Sequence, residues 1–83
     1  MTVSTTGHKI TWFWTGAQHA TAYDFVLYHY SNGAAKNDIT GRATVPHWGT
    51  NVTPGVTYYL KVRSVGTCGP STYYTPARPG KVG

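Results

Sequence analysis

The sequence predicts an all-β fold, an antiparallel sandwich, and three observations lead there. Apolar and polar residues alternate with period two in several runs rich in β-branched and aromatic side chains. No stretch carries the i, i+3, i+4, i+7 apolar spacing of an amphipathic helix over three turns. Ten Gly and five Pro interrupt every long segment, and their clusters fall where turns between short strands belong. A chain of 83 residues makes one small domain, and such a domain buries only roughly 60% of the surface it exposes when unfolded. Seven Tyr and three Trp supply the large buried area per residue that it needs.

Each run can be taken in order. Thr2-Val3-Ser4 reads as a short first strand, followed by Thr5-Thr6-Gly7. In the next strand Ile10, Trp12 and Trp14 fall on one side and Lys9, Thr11 and Phe13 on the other. One of the two neighbours Trp12 and Phe13 therefore faces away from the core unless the first strand or a partner covers it. After the turn residues Gly16 to Thr21, Tyr23, Phe25 and Leu27 alternate with Asp24, Val26 and Tyr28. Ser31-Asn32-Gly33 then supplies the positive φ of a tight hairpin. Ile39 to Val52 holds one or two strands, with Pro46 demoting its middle to an edge or a bulge. Pro54-Gly55 turns into a last strong strand, where Tyr58, Leu60 and Val62 alternate with Tyr59, Lys61 and Arg63. Gly66 to Pro70 ends it.

Val52-Thr53-Pro54-Gly55-Val56-Thr57-Tyr58 resembles the strand E to strand F corner of fibronectin type III domains, a family of immunoglobulin-like β-sandwiches. That corner runs apolar residue, any residue, Pro, three residues, Tyr. The resemblance implies a tyrosine corner, with the Tyr58 ring inward and its hydroxyl bonded to backbone upstream. Tyr59 to Val65 is similar to the family's F strand, Tyr23-Asp24-Phe25 to its strand C opening, and Gly69-Pro70-Ser71 to its F to G loop. Trp14 sits where the family places its core Trp on strand B. The likeness extends from about Lys9 to Pro76. It implies an antiparallel Greek-key sandwich of seven strands, or six plus a short strand A. The implied domain spans 1–78, and its structural core is Trp14, Tyr23, Phe25, Leu27, Tyr58, Leu60 and Val62.

Two departures from the family pattern matter. Strand A is short and lacks the Pro-rich lead, and Pro79-Gly80-Lys81-Val82-Gly83 looks like the opening of a following domain. Residues 79–83 are accordingly expected to be a tail or linker. Such a tail belongs to a fragment of a tandem array, simply frays, or lies on the strand A edge of a neighbouring copy and completes it by β-augmentation.

Charge and chemistry exclude several function classes. The net charge is +5, but Lys9, Lys36, Arg42, Lys61, Arg63, Arg78 and Lys81 are scattered, with no basic run to mark a specific nucleic-acid site. Cys68 is alone, so no internal disulfide forms. Polar Thr2 to Lys9 after Met1 is no secretory signal, and no apolar run is long enough for a membrane helix, so a soluble chain is expected. Asp24 and Asp38 are the two acids, and the strand pattern does not bring them to the roughly 5–9.5 Å of a glycosidase pair. Two carboxylates are also too few for a Ca²⁺ site. His8, His19, His29 and His47 share no short metal-ligand spacing, and no G-x-S-x-G turn is present. The reading is therefore of a non-enzyme with no catalytic residues, no metal and no cofactor. Asn51-Val52-Thr53 has the form of a glycosylation sequon but reads as part of the corner, and there is no Arg-Gly-Asp.

A face is what remains. If Tyr23, Phe25, Leu27 and Tyr58, Leu60, Val62 point inward, then Val26, Tyr28, Tyr30, Tyr59, Lys61 and Arg63 point outward. The resemblance makes these two strands neighbours, which gathers a Tyr-rich, basic patch. Tyr and Arg dominate interface hot spots, although a cross-strand aromatic ladder that only stabilises the sheet uses the same residues. A second set of candidates, Gln18, His19 and Cys68, lies on loops expected at one end of the sandwich. The expected function is a non-catalytic structural or interaction module. Its foremost reading is an accessory protein of a larger assembly such as a tailed-phage virion, as capsid decoration or tail component, since the resemblance permits that role. The partners are then copies of itself or other virion proteins, and the location is the virion. The alternative is a spacer or weak polysaccharide-binding module from a secreted bacterial carbohydrate-active enzyme or surface protein, which is extracellular.

Overall fold

The computed structural model describes residues 2–16, 20–67, 69–70 and 74–83. Among them there is no helix, and eight strands form two antiparallel sheets. The first sheet has the order β1-β2-β5, from β1 (Thr2–Thr6), β2 (Lys9–Phe13) and β5 (His47–Asn51). The second joins β4 (Ala34–Ala43), β3 (Ala22–Ser31) and β6 (Thr57–Gly66) in that order. Along the far edge of β6 lie β7 (Gly69–Pro70) and β8 (Arg78–Lys81) in succession. Between them, Thr75 N–H donates to Val62 O at 2.7 Å. A ten-residue strand is about 33 Å long, so the β3–β4 hairpin accounts for most of the 39 Å long axis.

Period-two alternation sets the core. Ile10 and Trp12 from the first sheet meet Phe25, Leu27, Leu60 and Val62 from the second in one buried cluster. Trp48, paired across the strands with Trp12, brings its ring to 4.3 Å from Phe25 and so links the two sheets. The indole of Trp12 is fully buried and donates from Nε1 to Arg78 O at 3.1 Å. Asn32 and Gly33, at φ of 52° and 81°, turn β3 into β4, the hairpin that Asn-Gly favours. The corner before β6 is held from inside the fold: Thr53 N–H donates to the hydroxyl of buried Tyr58 at 3.3 Å.

Several expectations are corrected. The first strand has five residues and pairs with β2 along its whole length, Thr2 with Phe13 through Thr6 with Lys9, across a tight turn at Gly7. Trp14 lies beyond the end of β2 and is only partly buried, packing edge-on to Tyr23. The central Trp is Trp12, because it stands in the middle strand opposite Trp48, while Phe13 turns outward at 42% exposure. Gly69 and Pro70, expected as loop, pair with Gly66 and Val65. Residues 79–83 are no free tail: Pro79, Gly80 and Lys81 pair with Tyr59, Tyr58 and Thr57, and Val82 is buried. The reason is space. Gly80 lies so close over Ile10, Trp12 and Val3 that a Cβ there would stand 3.0–3.3 Å from them, and Pro is tolerated on an edge strand.

Candidate interaction face

Strands β3 and β6 pair in a register that puts Tyr28 opposite Tyr59, Val26 opposite Lys61 and Asp24 opposite Arg63. Opposed residues of an antiparallel pair project from the same side. With Phe25, Leu27, Leu60 and Val62 committed to the core, these three pairs occupy the outer surface. Tyr28 and Tyr59 lie nearly parallel with ring centroids 5.5 Å apart. Tyr30 stands edge-on to both, at 5.8 and 5.4 Å, and is 55% exposed. Burial first, and then the neighbouring phenols Tyr30 and Tyr59, push the Tyr28 hydroxyl above its ordinary pKa.

Cations continue the row. Lys61 Nζ lies 5.8 Å from the Tyr28 ring centre and 4.8 Å from that of Tyr74, and the Arg63 guanidinium lies 5.0 Å from Tyr74. Such contacts are attractive because the ring face is negative. Asp24 joins the row to β4: Arg42 Nε donates to it at 2.9 Å and Arg63 Nε at 3.3 Å. The Arg42 hydrogen bond above all, helped by Arg63 and opposed by burial, holds the Asp24 carboxyl below the usual carboxylate range.

Arg42 and Tyr74 are members of this face that alternation along β3 and β6 does not reveal. Arg42 owes its place to a bulge. From the hairpin tip to Tyr28–Asn37 the two strands pair in one register, and from Leu27–Ile39 in another, with Asp38 the extra residue. Had the register of the hairpin tip run on unbroken through the same residues, Gly41 would face Asp24, and Arg42 would turn to the inner side. Asp38 thus lies within β4, its carboxylate 2.6 Å from His29 Nδ1.

The six residues Val26, Tyr28, Tyr30, Tyr59, Lys61 and Arg63 therefore share one surface. The loop candidates Gln18, His19 and Cys68 lie outside the described residues. The acids Asp24 and Asp38 are each tied to cationic or imidazole partners on different parts of the sheet. No group of three His, Cys, Asp or Glu that could hold a metal occurs among the described residues, and no helix there is long and apolar enough to cross a membrane. No family model, curated protein or solved structure matches the chain.

Proposed function

We propose that this chain is a non-catalytic interaction module with a fibronectin type III-like Greek-key sandwich. It docks through the outer face of the β4-β3-β6 sheet as an accessory of a larger assembly such as a tailed-phage virion. The observation that carries the reading is the contact cluster of Tyr28, Tyr30 and Tyr59 continuing into Lys61 and Arg63. Aromatic and Arg side chains on a flat, rigid sheet give contact area at little cost in conformational entropy. The family reading draws support from the strand order and from the Thr53–Tyr58 bond at the corner.

The polysaccharide alternative has less behind it. A sugar stacks on an open ring face, and the faces of Tyr28 and Tyr59 are turned toward each other. Of these three tyrosines, Tyr30 alone stands mostly clear.

Sedimentation of extracts from the producing cells tests the proposal. The wild-type chain should travel with large particles, and Tyr28→Ala/Tyr30→Ala/Tyr59→Ala should return it to the light fractions with its fold intact by near-UV circular dichroism. A wild-type chain that stays in the light fractions overturns the assembly reading, and retention on insoluble cellulose or chitin that is lost in the triple variant replaces it with the sugar-binding one.

A further inference from the structure

We propose that the partner of this face is an acidic protein surface, whose carboxylates are met by Lys61, Arg63, Arg42 and Tyr74. The inference rests on the interaction reading above and adds the chemistry of the partner. The chain has two acidic side chains against seven Lys and Arg. Both acids are already engaged within the fold: Asp24 by Arg42 and Arg63, and Asp38 by His29. The molecule thus brings no spare carboxylate side chain to an interface, and a complementary partner has to supply the negative charge.

The positive surplus is also local. On the outer face two guanidiniums share the single carboxylate of Asp24, and Lys61 follows along β6 on the same side, its ammonium near Tyr28 and Tyr74. A depression of about 370 Å³ lies among Asp24, Val26, Thr40, Arg42, Arg63 and Tyr74. Arg42 grips Asp24 through Nε while its side chain stays 57% exposed. Its outer N–H groups are left to a second acceptor, and a carboxylate suits a guanidinium in geometry as well as charge.

A phosphodiester chain fits less well. Asp24 in that depression repels closely spaced phosphates, and the cations do not form the continuous track that backbone binding uses. The tyrosines, packed ring against ring, offer area to a protein but few open faces to bases.

Titration of the ¹⁵N-labelled full chain with short synthetic peptides tests the inference. A peptide alternating Glu and Leu should shift amides around Lys61, Arg63, Arg42 and Tyr74. Its affinity should fall about tenfold as the Debye length shrinks from about 30 to about 8 Å. Lys61→Glu, which leaves the Asp24 cluster in place, should weaken it severalfold with the rest of the spectrum unchanged, and Lys61→Glu/Arg63→Glu further. Equal binding of a Gln-Leu peptide, shifts elsewhere, no binding of the Glu-Leu peptide, or tighter binding of a short oligothymidylate each overturns it. The two proposals fail separately. If the tyrosine variant leaves sedimentation unchanged, the face is not the docking site. If that variant detaches but peptide charge makes no difference, only the acidic-partner inference falls.

Discussion

Single side chains in this molecule differ in what they can lose. Trp12 and Trp14 are two positions apart, yet their indoles meet opposite conditions. Trp12 is fully buried in the central strand with its N–H on Arg78 O. Trp14 Nε1 is buried with no hydrogen-bond partner among the described residues, and an unpaired buried donor carries a desolvation cost of roughly 1–3 kcal/mol. Trp12→Phe should therefore destabilise by about 2–4 kcal/mol through lost volume and a lost bond. Trp14→Phe should cost less than about 1 kcal/mol, since it also removes the stranded N–H. Urea unfolding of both variants checks this, and equal losses would refute the assignment of Trp12 as the central Trp. Asp24 gives a prediction in pH. Its folded pKa is depressed, so the stability it adds is present above the unfolded value of about 3.9 and disappears as pH falls through the lower folded value. The partners are partly exposed, so the effect is small, about 0.5 kcal/mol. Asp24→Asn should lower stability at neutral pH and flatten the acid limb below pH of about 4. A carboxyl carbon titration midpoint at or above that of a free Asp would contradict it.

At the scale of elements, β4 decides whether the outer face is complete. The single extra residue Asp38 shifts the register so that Arg42 stands opposite Asp24. Deleting Asp38 should close the bulge and keep Arg42 opposite Asp24, because Asn37 and Ile39 then pair in succession with Tyr28 and Leu27. The Asp24 carboxyl should then stay below the usual carboxylate range, with only the His29 contact of Asp38 lost. A return of the Asp24 titration to its ordinary value in the deletion variant would mean that Arg42 had left Asp24 and that Asp38 is not the extra residue. Gly41 bears on the same strand. A Cβ there would lie 2.9 Å from Phe25 Cζ, so Gly41→Ala should cost about 1–3 kcal/mol by overpacking. These details mark the limit of what the sequence conveys. Alternation in β3 and β6 is legible because each strand has one wet and one dry side, and it yields the tyrosines, Lys61 and Arg63 directly. A bulge leaves no mark on alternation in β4, where every residue but Ala43 is exposed, so Arg42 could not be phased. Tyr74 follows a stretch with no alternation at all. Period two continues past Phe13 in the sequence while the strand ends there, so Trp14 packs against the core from beyond β2 and not from within it.

The whole molecule depends on its last residues in a way that their composition conceals. Pro79 and Gly80 look like linker punctuation, yet they extend the edge of β6, and Gly80 is small because Ile10, Trp12 and Val3 lie beneath it. Val82 is buried in the common core, and its carbonyl accepts from Gly55 N–H at 2.7 Å, tying the end of the chain to the corner before β6. A small domain has little stability to spare, typically about 5–15 kcal/mol or less. Removing residues 79–83 strips the β6 edge of three pairings, empties the Val82 site and opens the cover over Trp12. The truncated chain should be largely unfolded at room temperature by near-UV circular dichroism. Two milder variants separate the causes: Val82→Ala should cost about 1–2 kcal/mol as a cavity, and Gly80→Val about 1–3 kcal/mol as a clash. Lys81→Ala, at an exposed position, should stay within about 0.5 kcal/mol. If instead the truncated chain keeps its urea midpoint and changes only its solution mass, the segment serves a neighbouring copy and the closing role argued for β8 is wrong.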